Sequence, residues 1–348
     1  MDPHIVLIST GGTIAMADDA AAGGAVPALH GADLLRKQPL SSQTPAPTSL
    51  PSEASAHKAG PAGWSGSLEV VEHCHLPSAH FTLETLWGLR QRVQEIVRQP
   101  DINGIVITHG TDVLEETAYL LDLTVKGEIP MVLTGAMRTA SDPGYEGQAN
   151  LLAALHVAAD PAARGIGAVV VMGDEVHTAR AVTKMHTTSP HTFQSPFWGP
   201  LGRVEEDRIT WLGRPPVRHI LSTEKLEAHV LLLKMTVGMD DALLRYAVEW
   251  GMRGVVLETL GGGRVPHWWM PTIGEAVEQG IAVVITSRCP AGRVGDHYGY
   301  TGAHRDQAAA GALFARGLNG QKARIKLMVA LGAGLEGDEL RQAFEREP

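Results

Sequence analysis

The 348 residues carry 29 Lys and Arg against 38 Asp and Glu, a formal charge of −9, and 44% of them are apolar. That length exceeds one ordinary core and suits two α/β domains, and the balance is that of a folded chain rather than a disordered one. With no dense basic run, and no stretch near the roughly 18 continuous apolar residues of a membrane span, nucleic acid and membrane are not expected as partners.

Cys74 and Cys289 share no CxxC or zinc-ligand spacing and read most simply as two free thiols in a reducing compartment. The opening residues lack a basic n-region and a long apolar core, so a cytoplasmic location is expected.

In chain order, Ile5 to Ser9 is a short apolar run that meets two glycines, which reads as a buried strand ending in a tight turn. Residues 17–66 are rich in Ala, Gly, Ser and Pro, and a mobile, partly disordered loop is expected there, placed to serve as a lid. A helix follows from Leu83 to Gln99, its apolar positions Leu83, Leu86, Trp87, Val93, Ile96 and Val97 at helical spacing and Pro100 ending it. Ile105 to Thr108 is the next strand. Asp112 to Leu123 is a helix with Asp112 as N-cap and Glu115 three residues on. Strands at Met131 to Thr134 and Val169 to Met172, then a hairpin at Leu201 to Trp211, complete a first domain over residues 1–212. Residues 213–225 read as a linker.

From 226 to 348 a second αβ unit has strands at Val230 to Leu233, Gly254 to Leu257 and Ala282 to Ile285. Its helices are expected near Asp240 to Trp250, Gln307 to Arg316 and Gln321 to Leu331. Strands alternating with helices predict a larger N-terminal, doubly wound parallel-sheet domain and a smaller C-terminal α/β domain. In such sheets ligands sit at the C-terminal ends of strands, where Thr10 and His109 fall.

Several fingerprints lead nowhere. Residues 332–337 match GxGxxG but follow a helix, so they read as a turn between helices. There is no phosphate loop, no GxSxG and no HExxH. His73 and His75 alternate along a strand, but a metal site would need further ligands, so none is expected there.

Thr10-Gly-Gly-Thr13 places two hydroxyls around a glycine turn at a strand end, where glycines let a ligand approach backbone N–H groups. His109-Gly-Thr111-Asp112 repeats the arrangement at another strand end. Either alone reads as a capped glycine turn; together they suit two hydroxyls around one small molecule. A threonine hydroxyl needs a base or relay, and histidine or a lysine of lowered pKa would serve. Lys184, in a predicted hairpin beyond the fourth strand, is one such lysine.

These residues resemble the signature segments of bacterial-type asparaginases and asparaginase-glutaminases: Thr10-Gly-Gly-Thr-Ile-Ala15, and Thr108-His-Gly-Thr-Asp112 with Glu115-Glu-Thr-Ala-Tyr119. The likeness continues in order through Thr134-Gly-Ala-Met-Arg138, Ala149-Asn-Leu151, Val182-Thr-Lys184, Gly199-Pro-Leu-Gly202 and Gln321-Lys-Ala-Arg324. The resemblance implies hydrolysis of L-asparagine to L-aspartate and ammonia through an acyl-enzyme on Thr13, with glutamine a weaker substrate. It makes Thr111, Asp112 and Lys184 the proton relay and Asp112 the holder of the α-amino group. Ser78 would bind the α-carboxylate, Ala136 would contact the amide through its backbone, and Gly12 and Gly110 would complete the substrate pocket. It further implies no cofactor and a homodimer or homotetramer with sites near subunit interfaces.

Three departures stand out. The family's lid tyrosine has no counterpart in residues 16–66, which leaves Tyr298 or Tyr300 as the activating tyrosine. Gly261-Gly-Gly263 stands where the family often has an asparagine between glycines. Tyr145-Glu-Gly-Gln-Ala-Asn150 replaces the usual Asp-Gly-x-x-Asn run. Two other readings compete. An amidotransferase subunit would be expected to carry an extra N-terminal segment, for which there is no room before Ile5. A non-catalytic amino-acid-binding protein would not be expected to keep Thr13, Thr111, Asp112 and Lys184 together.

Overall fold

A computed structural model describes residues 2–35, 55–57, 60–61, 63–206, 208–215, 217–295 and 297–345. The chain divides into two compact units, Met1–Arg218 and His219–Pro348.

The first unit contains strands β1 (His4–Gly11), β2 (Met16–Asp19), β3 (Gly24–Pro27), β4 (Ser55–His57), β5 (Ser67–Leu76), β6 (Gly104–Thr108), β7 (Met131–Thr134), β8 (Ala168–Met172), β9 (Glu175–Thr178), β10 (Thr183–Lys184), β11 (Phe193–Gln194), β12 (Gly202–Glu205) and β13 (Arg208–Trp211). Its helices are α1 (Gly31–Leu34), α2 (Leu83–Val97), α3 (Leu114–Thr124) and α4 (Gly147–Ala159). The main sheet runs β13-β12-β9-β8-β7-β6-β1-β5-β4. Its centre, β5-β1-β6-β7-β8, is parallel, and its margins are antiparallel.

The apolar runs are continuous because both faces of the sheet are covered. Successive side chains on a strand point to opposite faces. Ile5, Leu7, Val106, Val132, Val169 and Val171 therefore pack on one side with Leu151, Ala154, Leu155 and Ala158 of α4. Val6, Ile8, Ile105, Ile107, Met131, Leu133 and Val170 pack on the other with Leu89, Val93 and Ile96 of α2 and Leu114, Ala118 and Leu121 of α3. Each fully buried aliphatic side chain contributes roughly 1.5–3 kcal/mol, so this double layer is what holds the strand ends in place.

The second unit is a parallel sheet of β14 (Val230–Lys234), β15 (Gly254–Thr259), β16 (Ala282–Ser287) and β17 (Leu313–Phe314), in that order. Its helices are α5 (Ala242–Glu249), α6 (Met270–Glu278), α7 (His304–Ala309), α8 (Gly320–Gly332) and α9 (Gly337–Glu345). The expected turn at 332–337 is the link between α8 and α9.

Three expectations change. The helix expected from Gln307 to Arg316 ends at Ala309, because Gly311 turns the chain at φ +89 with its backbone packed on Val277. Leu313 and Phe314 then pair with β16 as a strand. Secondly, α3 begins at Leu114, and Asp112 does not cap it. Thirdly, the stretch expected to be loop carries a hairpin, β2 with β3, and the short helix α1 in its first half. Of the remainder, residues 36–54, 58–59 and 62 lie outside the described residues.

Candidate active site

The chain leaves β1 to form β5 on one side and then crosses back to place β6 on the other. The gap between β1 and β6 is therefore the topological switch point, where open α/β sheets bind ligands. The first glycine turn lies here. Gly11 and Gly12 have φ of +90 and +80, and a Cβ on Gly12 would lie 2.3 Å from both the Cα and the N of Gly110. A Cβ on Gly110 would in turn lie 2.5 Å from Ser78 Oγ, and one on Gly135 would lie 2.6 Å from the carbonyl oxygen of His109. Glycine at these points lets the turns after β1, β6 and β7 meet backbone to backbone and lets Ser78, two residues past β5, close on Gly110.

Around that meeting Ser78, Thr111, Asp112 and Lys184 are linked by hydrogen bonds, and Thr13 and Ala136 directly follow two of these glycines. Thr13 opens a 3₁₀ turn, Thr13–Ala15, and is half-buried. Thr111, Ser78 and Ala136 are buried. The backbone N–H of Asp112 donates to Ser78 Oγ at 3.3 Å. Lys184 arrives on the β10–β11 hairpin, and its Nζ donates to Thr111 Oγ1 at 2.9 Å and to Asp112 Oδ1 at 2.8 Å. This ion pair explains the missing cap: the Asp112 carboxylate turns to the lysine instead of to α3.

At the first glycine turn two expectations change. Thr10 offers no second hydroxyl, because it is buried and donates to the carbonyl of Thr108 on the neighbouring strand at 2.9 Å. Gly12 contributes close approach rather than an N–H, since its own N–H donates to the carbonyl of Leu76 at 3.1 Å. Tyr298 and Tyr300 belong to the second unit, where they stack at 5.5 Å and Arg264 lies over the Tyr298 ring. His73 Nε2 contacts the carbonyl of Thr85 and His75 stacks on His30, so the two histidines are engaged separately. Cys74 and Cys289 are free; burial pushes the Cys74 thiol up to about 11, which leaves it protonated and inert at neutral pH.

The site also contains groups to which the sequence patterns gave no catalytic or binding role. Glu115 is buried, and its Oε1 accepts from Thr183 Oγ1 at 3.1 Å and from the Lys184 backbone N–H at 3.4 Å, tying α3 to the lysine hairpin. His109 is buried with Nδ1 at 2.7 Å from the carbonyl of Gly110 and Nε2 at 3.0 Å from Thr117 Oγ1. Burial lowers its pKa to about 4, so the ring is neutral and its one proton lies on Nδ1, facing the carbonyl. Asn150 Nδ2 donates to the carbonyl of Gly135 at 2.9 Å, fixing the approach to Ala136. Tyr145 Oη donates to the carbonyl of Ile14 at 2.7 Å. Its place in a run that departs from the family pattern was the only signal of it in the sequence.

Comparison with known proteins gives a consistent result. The family model described as asparaginase, N-terminal, matches residues 4–217, and that of the glutaminase/asparaginase C-terminal domain matches residues 229–344. An L-asparaginase of Bacillus licheniformis is 32% identical over 97% of this chain and 98% of its own. A probable L-asparaginase of Deinococcus radiodurans is 33% identical over 98% and 97%. A glutaminase-asparaginase of Pseudomonas fluorescens biotype A is 31% identical over 98% and 90%.

Proposed function

The chain belongs to the asparaginase family of enzymes, and from that premise we propose that it hydrolyses the side-chain amide of L-asparagine through a threonyl acyl-enzyme on Thr13, with L-glutamine a weaker substrate. The observation that carries this reading is the Lys184 ammonium held between the Thr111 hydroxyl and the Asp112 carboxylate, beside the contact of Gly12 with Gly110.

In the reaction, Thr13 Oγ1 attacks the amide carbon and ammonia departs. Lys184 passes a proton through Thr111 to the leaving nitrogen. The lysine regains that proton along the same path from Thr13 Oγ1; in hydrolysis of the ester it again gives one proton, now to the departing Thr13 Oγ1, and regains one from the attacking water. Asp112 has one oxygen on Lys184 and an exposed carboxylate that faces solvent, which suits it to the substrate α-ammonium. Ser78 accepts from the Asp112 N–H, leaving its own proton to donate to the α-carboxylate. The backbone at Ala136 contacts the reacting amide. The enzyme works as a homodimer or homotetramer, with Tyr298 or Tyr300 of a neighbouring subunit as the activating tyrosine. No helix among the described residues is long and apolar enough to cross a membrane; the free thiols suit the reducing cytoplasm.

The test is ammonia release from asparagine, glutamine and other small amides, with Thr13→Ala as control. Release from asparagine that disappears in the variant is expected. Release no greater than that of the variant would remove the reading.

A further inference from the structure

The turn that carries Thr13 is braced at the Ala15 carbonyl by the N–H groups of Ala28 and Leu29, both at 2.9 Å, and from another side by a single loop. Between Ala136, at the substrate amide, and α4, this loop makes three contacts with the segment following the nucleophile. Tyr145 Oη donates to the carbonyl of Ile14, a residue 131 positions away, at 2.7 Å. The Ala140 N–H donates to the carbonyl of Met16 at 2.9 Å. The Asp18 N–H donates to Ser141 Oγ at 3.0 Å. The loop's own base is closed by Glu146 Oε1, which accepts from the N–H of Met137.

Of the three contacts, only that of Tyr145 falls within the Thr13–Ala15 turn. The phenol lies in a space that exists because residue 147 is glycine: a Cβ there would come within 2.2 Å of the Tyr145 hydroxyl oxygen and 2.3 Å of its Cζ. Its ring packs on the core layer beneath α4. Burial, and the Glu146 carboxylate beside it, push the phenol pKa upward, so the hydroxyl keeps its proton and remains a donor throughout the neutral range.

We propose that Tyr145 is the positioning residue of the nucleophile, holding the Ile14 carbonyl so that the Thr13 hydroxyl is presented to the amide, and that Gly147 is the notch that seats it. The inference rests on Thr13 being the nucleophile. Tyr145 touches neither substrate nor the reacting atoms. It acts through the turn, whose placement to within about an ångström decides how often attack geometry is reached.

Two variants test it from opposite sides. Tyr145→Phe keeps the ring and removes the donor. Gly147→Ala keeps the tyrosine intact and improves helix propensity at the start of α4, but expels the phenol from its seat. Steady-state ammonia release, aspartate binding by calorimetry and amide hydrogen exchange are measured on both. Expected for each is a fall in kcat of about tenfold or more, KM and aspartate affinity within about twofold, and faster exchange confined to the peptide around residues 12–16. Gly147→Ala also loses the ring's packing and should melt somewhat lower, but with exchange unchanged elsewhere in the protein, an outcome that general loosening of the fold would not produce. Wild-type kcat in either folded variant overturns the proposal, as does a loss shared equally by kcat, aspartate binding and exchange throughout the protein. If Tyr145→Phe does not fold, Gly147→Ala decides alone. If the wild type itself releases no ammonia, the functional reading falls; if it does and the variants match it, only the role of Tyr145 falls.

Discussion

Lys184 serves two acceptors with one ammonium, Thr111 Oγ1 and Asp112 Oδ1, both within 3 Å. Its side chain is largely buried whereas that of Asp112 is open to water, so solvent screens the ion pair and it adds little to stability. The value of the contact lies in proton transfer, which acts in the transition state. Lys184→Met should therefore lower kcat by about 100-fold or more, in line with the loss of a general acid–base group, while aspartate binding changes far less. Steady-state kinetics and calorimetry decide between roles: a higher KM at unchanged kcat would make Lys184 a binding residue only. Thr10 makes the complementary point. It has the same side chain as Thr13 and sits three residues before it, yet its hydroxyl is taken by the Thr108 carbonyl. Which of two threonines faces the ligand depends on where the strand ends, and residue type alone does not reveal it.

At the scale of elements, the turn after β6 is held to α3 by His109, which binds the Gly110 carbonyl through Nδ1 and Thr117 through Nε2. Because its folded pKa is about 4 against an ordinary histidine value of 6.5, the unfolded chain binds more protons than the folded one between those values. Stability from this residue is complete above about pH 6.5 and is lost as pH falls toward 4, a difference of roughly 3 kcal/mol. His109→Asn can keep a donor to Gly110 without titrating. The stability gap between wild type and variant, measured by urea unfolding, should shift against the wild type by up to that amount as pH drops from 7 to 4.5. A gap independent of pH would show that the histidine is not buried in its neutral form.

The elements legible in the sequence were those whose pattern follows from burial alone. Strands β1, β6, β7 and β8 are apolar throughout because helices cover both faces, and α2 has one wet face that gives it a period. Helix α4 was not legible for the opposite reason: Leu151, Ala153, Ala154, Leu155, Val157 and Ala158 are all buried, so no polar stripe marks its turn. Asp112 and Glu115 have capping-box spacing, but Lys184 and Thr183, about 70 residues away in sequence, draw both carboxylates off the helix end. Tertiary partners overrode a local signal there. The same reason hides Tyr145, whose acceptor is a backbone carbonyl that no side-chain pattern can encode.

Considered as a whole, the chain leaves apolar surface in water that its own cores do not use. On α5, Leu243 and Tyr246 are 49% and 50% exposed and Trp250, just past its end, is 69% exposed; they recur at positions i, i+3 and i+7 while Leu244 and Ala247 face inward. Tyr246 and Trp250 lie in ring contact at 5.8 Å, and Trp268 adds a further exposed ring in the same unit. An apolar helical face of this kind is costly to leave hydrated and marks an association surface. Tryptophan and tyrosine are the residues that most often dominate such surfaces. With the proposed homodimer or homotetramer as the covering partner, light scattering on the wild type should give a mass two or four times that of one chain. Trp250→Glu, which places a charge at the edge of the face without touching either active-site strand end, should shift that mass downward at micromolar concentration. Its helix content should remain unchanged. A wild type that elutes as a single chain would remove the oligomer, and an unshifted variant would move the interface elsewhere on the surface. Where dissociation also lowers turnover per chain, the site depends on a second subunit; undiminished turnover would place every group needed for catalysis in one chain.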